Sequence, residues 1–264
     1  MKNAARIASV FLVAVILTIV IYADNAYKVY RRCTNDNMEI ALTFDDGPHP
    51  RLTPEILDIL NEYGVSATFF VVGENVANYP EAAMRIAKEG HEIGNHTYTH
   101  RHIQSMSKNQ LMCEIESCER QIIEVTDDEY RTKLFRPPEG KVDSTVEELG
   151  EDLGYSVILW SIDTKDWAHT SVSKIVDNIL SNVQSGDIVL MHDYIGTNSP
   201  TPQVLRTIIP KLLERGYKFV TVSELIKGES EATKKINCGT VDIVNSPIKN
   251  QISSIRSFSV PSSL

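Results

Sequence analysis

The sequence predicts an α/β fold whose strands form one parallel sheet, either open or closed into a barrel. Two observations predict it. From Met38 onward, short apolar runs of strand character alternate with amphipathic helical stretches six or seven times. The chain's unusual polar residues fall just after the strands, which is where parallel α/β folds gather their chemistry. No composition shift interrupts the pattern, so 38–228 reads as one domain.

The chain ahead of that domain is different in kind. Lys2 and Arg6 precede an uncharged run from Ile7 to Ala23, "IASVFLVAVILTIVIYA", which as a helix spans roughly 25 Å at about 1.5 Å per residue. This predicts a membrane-spanning anchor, or a signal peptide cleaved near Ala23. Basic residues before the run place 1–6 in the cytoplasm and the rest of the chain outside the membrane. Residues 24–37 are then a linker.

Within the domain, the first strand is "MEIALTF". The helix "TPEILDILNEYG" follows, with Thr53 as its cap, Pro54 at its first position and Gly64 at its end. Strand "SATFFVVG", helix "YPEAAMRIAKEG" and strand "HEIGNH" continue the alternation, and a long helix near 107–126 leads to "LFRPP". Three further pairs complete it: "STVEELGEDLG" with "YSVILWSI", "SVSKIVDNILSNVQSG" with "DIVLMHD", and "TPQVLRTIIPKLLERG" with "YKFVTV". Past Gly228 the pattern lapses. The last twenty residues hold seven Ser and no acidic residue, so 229–264 reads as a loosely ordered tail.

Charge and cysteine content narrow the partners. A net charge of −9 argues against nucleic acid, which requires a surplus of Lys and Arg to displace counterions. Cys33, Cys113, Cys118 and Cys238 allow three pairings. Cys113 and Cys118 sit five apart on a predicted helix and diverge around its axis; the sequence does not choose among the pairings, and the expectation is a Cys33–Cys238 bridge or free thiols throughout. None has metal-site spacing.

Asp45 and Asp46 follow the first strand, His96 and His100 the third, Arg136 the fourth, Asp163 and Asp166 the fifth, and His192 the sixth. Singly, each has an ordinary structural reading. Asp and Gly suit turns, "RPP" suits a rigid turn, and histidines four apart sit on a helix surface as readily as they bind one metal ion. Jointly they point to a site, because stability does not require all of these groups at one edge of the sheet.

In order and spacing, "TFDDGP", "HTYTH", "RPPEG", "DTKDW" and "LMHD" resemble the five motifs of the polysaccharide deacetylase family, also called carbohydrate esterase family four. The resemblance covers residues 38–228 and implies a distorted (β/α) barrel of about seven parallel strands. It also implies a divalent metal, zinc foremost, with cobalt, nickel or manganese as substitutes, that serves hydrolysis of N-acetyl groups on amino sugars. Carried over residue by residue, Asp46, His96 and His100 are metal ligands, Asp45 is the general base, and Arg136 pairs with Asp45. His192 is the acid that protonates the leaving amine, supported by Asp166. The backbone N–H of Glu139 faces the oxyanion, and Trp167 and Leu190 wall the acetyl pocket. Glu139 departs from the family's pattern, which has an aromatic residue there.

The expectation is a membrane-tethered enzyme that deacetylates N-acetylglucosamine in peptidoglycan. Chitooligosaccharide, muramic residues or acetylated xylan are alternative substrates. A non-catalytic carbohydrate-binding protein would lack a motif residue, and none is missing here. A two-His-one-carboxylate set also suits non-haem iron oxygenases, which acetate release without oxygen consumption sets aside.

Overall fold

The computed structural model describes residues 28–34, 37–127, 130–196 and 198–229. The seven predicted strand runs supply eight strands: β2 (Glu39–Asp45), β3 (Thr68–Val71), β4 (Glu92–Asn95), β5 (Leu134–Phe135), β6 (Ser156–Ile158), β7 (Ile162–Asp163), β8 (Ile188–His192) and β9 (Lys218–Phe219). A short β1 (Val29–Tyr30) precedes them. All nine pair in parallel, in the order β1-β6-β5-β4-β3-β2-β8-β7, with β9 set against the first two residues of β2.

The run "YSVILWSI" behaves differently from its sequence pattern. Ser156–Ile158 pairs with β5, whereas Ile162–Asp163 pairs with β8 at the other end of the ladder. Only 159–161 separate the two, so the chain itself bridges the ends and curls the sheet into a half-barrel. Apolar periodicity records that a segment is buried but not which neighbour receives its hydrogen bonds, so one strand was expected where there are two.

The helices are α1 (Leu52–Tyr63), α2 (Gly73–Asn78), α3 (Pro80–Lys88), α4 (Lys108–Val125), α5 (Ser144–Leu153), α6 (Val172–Asn182) and α7 (Thr201–Glu214). Their apolar faces pack on the outside of the sheet, where Ile56, Leu60 and Ile208 meet Phe44, Phe69 and Met191. Helix α4 begins as its sequence suggests, with a reciprocal capping box between Ser107 and Gln110. Helix α1 departs from expectation and starts at Leu52. Its first N–H groups, from Arg51 and Leu52, are taken by the His49 ring. Thr53 is thereby released to accept from the His49 N–H and to donate to Asp193. Helix α2 was not anticipated.

The two ends of the half-barrel differ in kind. At the N-terminal ends of the strands, Tyr30, Cys33, Val222 and Leu225 close the interior with apolar side chains. A helical segment over 222–229 lies across that end, and the Val222 N–H donates to Thr68 in β3. The C-terminal ends stay open and polar. Cys33 and Cys118 are buried free thiols and Cys113 an exposed one among the described residues, while Cys238 lies outside them. The predicted membrane segment 7–23 and the tail beyond 229 also lie outside. Among the described residues no helix is long and apolar enough to cross a membrane.

Candidate active site

Asp45 ends β2 and Asp46 follows it directly, and in an extended chain their side chains would point to opposite faces. The backbone of Asp46 instead turns into the left-handed region, at φ 74°, a conformation that Asp tolerates better than most residues. Both carboxylates thus lie beside the His96 ring, Asp45 Oδ2 at 3.8 Å and Asp46 Oδ1 at 3.4 Å from its Nε2. Asp45, 3% exposed, stands in register with His192 on the neighbouring strand.

Arg136 follows β5 directly and is 0% exposed. Its guanidinium donates to Asp45 Oδ1 at 2.6 Å, Thr43 Oγ1 at 2.9 Å, and the carbonyls of Ile158 and Leu159, each at 3.1 Å. The Phe70 ring lies 4.0 Å beneath it. A buried cation is costly unless its donors are satisfied, and here four bonds and a ring face do so. Asp45 is held rigidly by that partner.

Asp46 Oδ1 lies 3.1 Å from His100 Nε2 and 3.4 Å from His96 Nε2. One ligand atom from each residue falls within 4.8 Å of the others, the spacing of a shared metal ion. His96 places its Nδ1 2.6 Å from the Arg136 carbonyl. A carbonyl only accepts, so Nδ1 carries the proton and the Nε2 lone pair faces the centre, as metal ligation requires. Burial would raise the Asp46 carboxyl, but the His100 and His96 rings overcome it and hold the group well below the usual carboxylate range. The Asp46 contact in turn raises the His100 imidazole, against the effect of burial. Ligation would require the neutral imidazole, so a bound metal ion would take the place of that proton between Asp46 and His100.

The histidine stretch is not the helical turn that a four-residue spacing suggests. Residues 96–102 form a loop, with Thr97 at φ 67° and His100 at φ 53°. Glu114 on α4 fixes that loop by accepting from the Tyr98 N–H, the Thr99 N–H and the Thr99 hydroxyl. Asn95 adds a bond from the Thr97 N–H to its Oδ1. Neither residue was singled out in the sequence. Glu114 looks like any polar position on an amphipathic helix, and nothing local marks it.

On the opposite side, His192 Nδ1 meets Asp166 Oδ1 at 2.8 Å. Asp166 also accepts from the backbone of Trp167 and His192 and from Thr201 Oγ1. Burial pulls the imidazole down, but Asp166 more than offsets it, and the His192 pKa is pushed up to about 9. Asp163 lies at the same strand end but turns to the Lys165 N–H. Asp193 is fully buried beside Gly47, with its pKa raised to about 7 by burial.

Glu139 sits at the rim at φ 58°, with its carboxylate 2.8 Å from His102 Nδ1. Leu190 is two residues before His192 on the same face of β8, 3% exposed. Trp167 stands 54% exposed beside Asp166, more open than a pocket wall alone would be.

The family model described as polysaccharide deacetylase matches residues 32–158. A peptidoglycan-N-acetylglucosamine deacetylase of Bacillus cereus is 41% identical over 195 residues, covering 73% of this chain and 90% of that relative. The peptidoglycan-N-acetylmuramic acid deacetylase PdaC of Bacillus subtilis is 38% identical over 73% of this chain but only 40% of its own length. Among solved structures, a peptidoglycan N-acetylglucosamine deacetylase in complex with 4-naphthalen-1-yl-N-oxidanyl-benzamide superposes with a TM-score of 0.73 at 34% identity, over 76% of this chain and 94% of that one. A family 4 acetyl xylan esterase of Clostridium thermocellum with a bound cobalt ion gives 0.66 at 36% identity, over 72% and 90%. The same carboxylate-and-imidazole edge that the strands assemble is therefore carried by a sequence that aligns across nearly the full length of such a relative, and the chain belongs to the polysaccharide deacetylase family.

Proposed function

We propose that the protein hydrolyses the N-acetyl groups of N-acetylglucosamine in peptidoglycan, using a divalent metal ion held by Asp46, His96 and His100, with zinc as the native ion. The observation that carries this reading is the placement of that triad between two differently prepared groups, Asp45 clamped by Arg136 and His192 backed by Asp166. One carboxylate and two imidazoles are a donor set of borderline softness that suits zinc and cobalt alike and leaves positions open. Bound there, the metal supplies Lewis-acid chemistry, drawing charge from an acetyl carbonyl and making water easier to deprotonate.

The protein's own groups do the rest. Asp45, anchored by Arg136, takes the proton from the attacking water. His192, kept protonated by Asp166, delivers a proton to the departing amine. The Glu139 N–H is aimed at the oxyanion, and Leu190 and Trp167 border the acetyl group. The complete "DDGP" motif supports glucosamine as the target sugar, whereas Glu139, an acidic residue where the family has an aromatic one, resembles the branch that acts on muramic residues. The run 7–23 is proposed to hold the domain on the outer face of the cytoplasmic membrane.

The test is acetate release from purified peptidoglycan, N-acetylated chitooligosaccharides and acetylated xylan, with mass analysis of which sugar loses about 42 Da, the net mass of one acetyl group. Release from peptidoglycan glucosamine that stops on chelation and returns with zinc is expected. Release from xylan alone would overturn the assignment.

A further inference from the structure

The bridging segment 159–161 meets the loop after β5 at two places. Its backbone is fixed at both ends: the Leu159 N–H donates to the Tyr30 carbonyl at 2.7 Å, and the Ser161 N–H to the Ile188 carbonyl at 3.0 Å. The Leu159 carbonyl accepts from Arg136, where the loop begins. Between these two residues stands Trp160, which packs against the apolar interior cluster that includes Tyr30, Phe70 and Ile158. The Arg136 guanidinium carbon lies 5.7 Å from the centre of its ring. The far edge of the indole meets Gly140. A methyl group on the Gly140 Cα would stand 2.6 Å from Cη2 and 2.9 Å from Cζ3, so so close an approach requires glycine.

The turn that rests on this edge carries the Glu139 N–H. Glu139 and Gly140 are both left-handed, at φ 58° and 64°, and a residue with a side chain persists there only where its neighbours over-determine it. The turn's own bonds run from the Gly140 N–H to the Pro137 carbonyl and from the Lys141 N–H to the Pro138 carbonyl. They fix its shape, not its height over the sheet. The Glu139 carboxylate pairs with His102, a residue 82% exposed, and a solvated pair of that kind holds a backbone weakly. The Glu139 N–H itself donates to no acceptor among the described residues.

We propose that Trp160 is a positioning residue for the hydrolysis: its ring is the platform that sets the Glu139–Gly140 turn and so keeps the Glu139 N–H aimed at the oxyanion. An indole is large, flat and has only two side-chain torsions, so it can reach from the apolar interior to the rim and stay rigid. The oxyanion exists only in the transition state. A displaced donor therefore lowers kcat while ground-state binding and the metal triad are untouched. This inference rests on the deacetylase reading, which supplies the reacting carbonyl.

The experiment measures kcat, KM and zinc affinity on the N-acetylated chitin pentamer for the full zinc-loaded chain, Trp160→Leu, Trp160→Phe, Gly140→Ala and the double variant Trp160→Leu/Gly140→Ala. Trp160→Leu should lower kcat about 10²-fold, with KM and zinc affinity within about twofold of the wild type. Trp160→Phe should fall between, since its shorter ring keeps the interior contact and loses the far edge. Gly140→Ala should also lower kcat, and by less when the ring it strikes has been removed, so the two costs are not additive. A normal kcat in folded Trp160→Leu, a zinc affinity that falls in step with kcat, or strictly additive costs would overturn the proposal. Should Trp160→Leu not fold, Trp160→Phe and its double variant with Gly140→Ala are read by the same criteria. Failure of the deacetylase reading looks different, because the wild type itself would then release no acetate.

Discussion

The two adjacent aspartates are separated in role by what each touches. Asp45 is bound to a buried guanidinium, and Asp46 to two imidazoles. Asp46→Ala should lose zinc and activity together. Asp45→Asn should keep zinc, by metal analysis, while turnover falls about 10²–10⁴-fold. A near-normal rate in Asp45→Asn would remove it from the chemistry. For His192, the sign follows from Asp166. The acid form is needed, and the pKa of about 9 keeps it populated through neutral pH. Asp166→Asn leaves burial as the prevailing influence, so the pKa falls and the alkaline limb of the kcat profile moves to lower pH. The metal's charge lowers wild type and variant alike, so the displacement between the two profiles is diagnostic, and coincident limbs would refute the support role. These residues were legible in the sequence because each follows a strand. Glu114 and Asn95 were not, since a supporting residue is defined by the loop it meets in space.

Elements bring these residues together through constraints that periodicity does not carry. The spacing of "HTYTH" suggested a helix, but the preceding strand and the Glu114 bonds hold it as a loop with two left-handed residues. The expected Thr53 cap is likewise replaced by the His49 ring, while Thr53 is engaged by Asp193. That engagement links α1, β8 and the loop after β2, since Asp193 packs directly on the Cα of Gly47. A methyl group at this position has no room. Gly47→Ala should therefore displace the loop that carries Asp46, costing about 1–3 kcal/mol of stability by overpacking and weakening zinc binding at the same time. Thermal melts and a zinc competition titration would read the two effects. A variant with normal affinity would show that Asp46 is placed without help from this contact.

At the scale of the whole molecule, the half-barrel has a chemical end and an attachment end. The strand alternation made the first predictable, because every parallel strand delivers its C-terminus to one side. The second is a matter of tertiary contacts: Val157 donates to the Lys28 carbonyl at the start of β6, Cys33 donates to Gly186 ahead of β8, and Thr34 donates to Glu229 at 3.0 Å. The described chain thus enters and leaves at the plugged end, opposite the metal ligands. A chain of residues 24–229 keeps the contacts of the site and of the plug that are seen among the described residues. It should stay in the supernatant on fractionation, while the full chain sediments with membranes, and it should release acetate from soluble oligosaccharides within about twofold of the full chain's kcat, since no transition-state contact is removed. Equal partition of both chains would discard the anchor. A large loss of kcat in the shorter chain would mean that a segment outside 24–229 reaches the open end and takes part in the site.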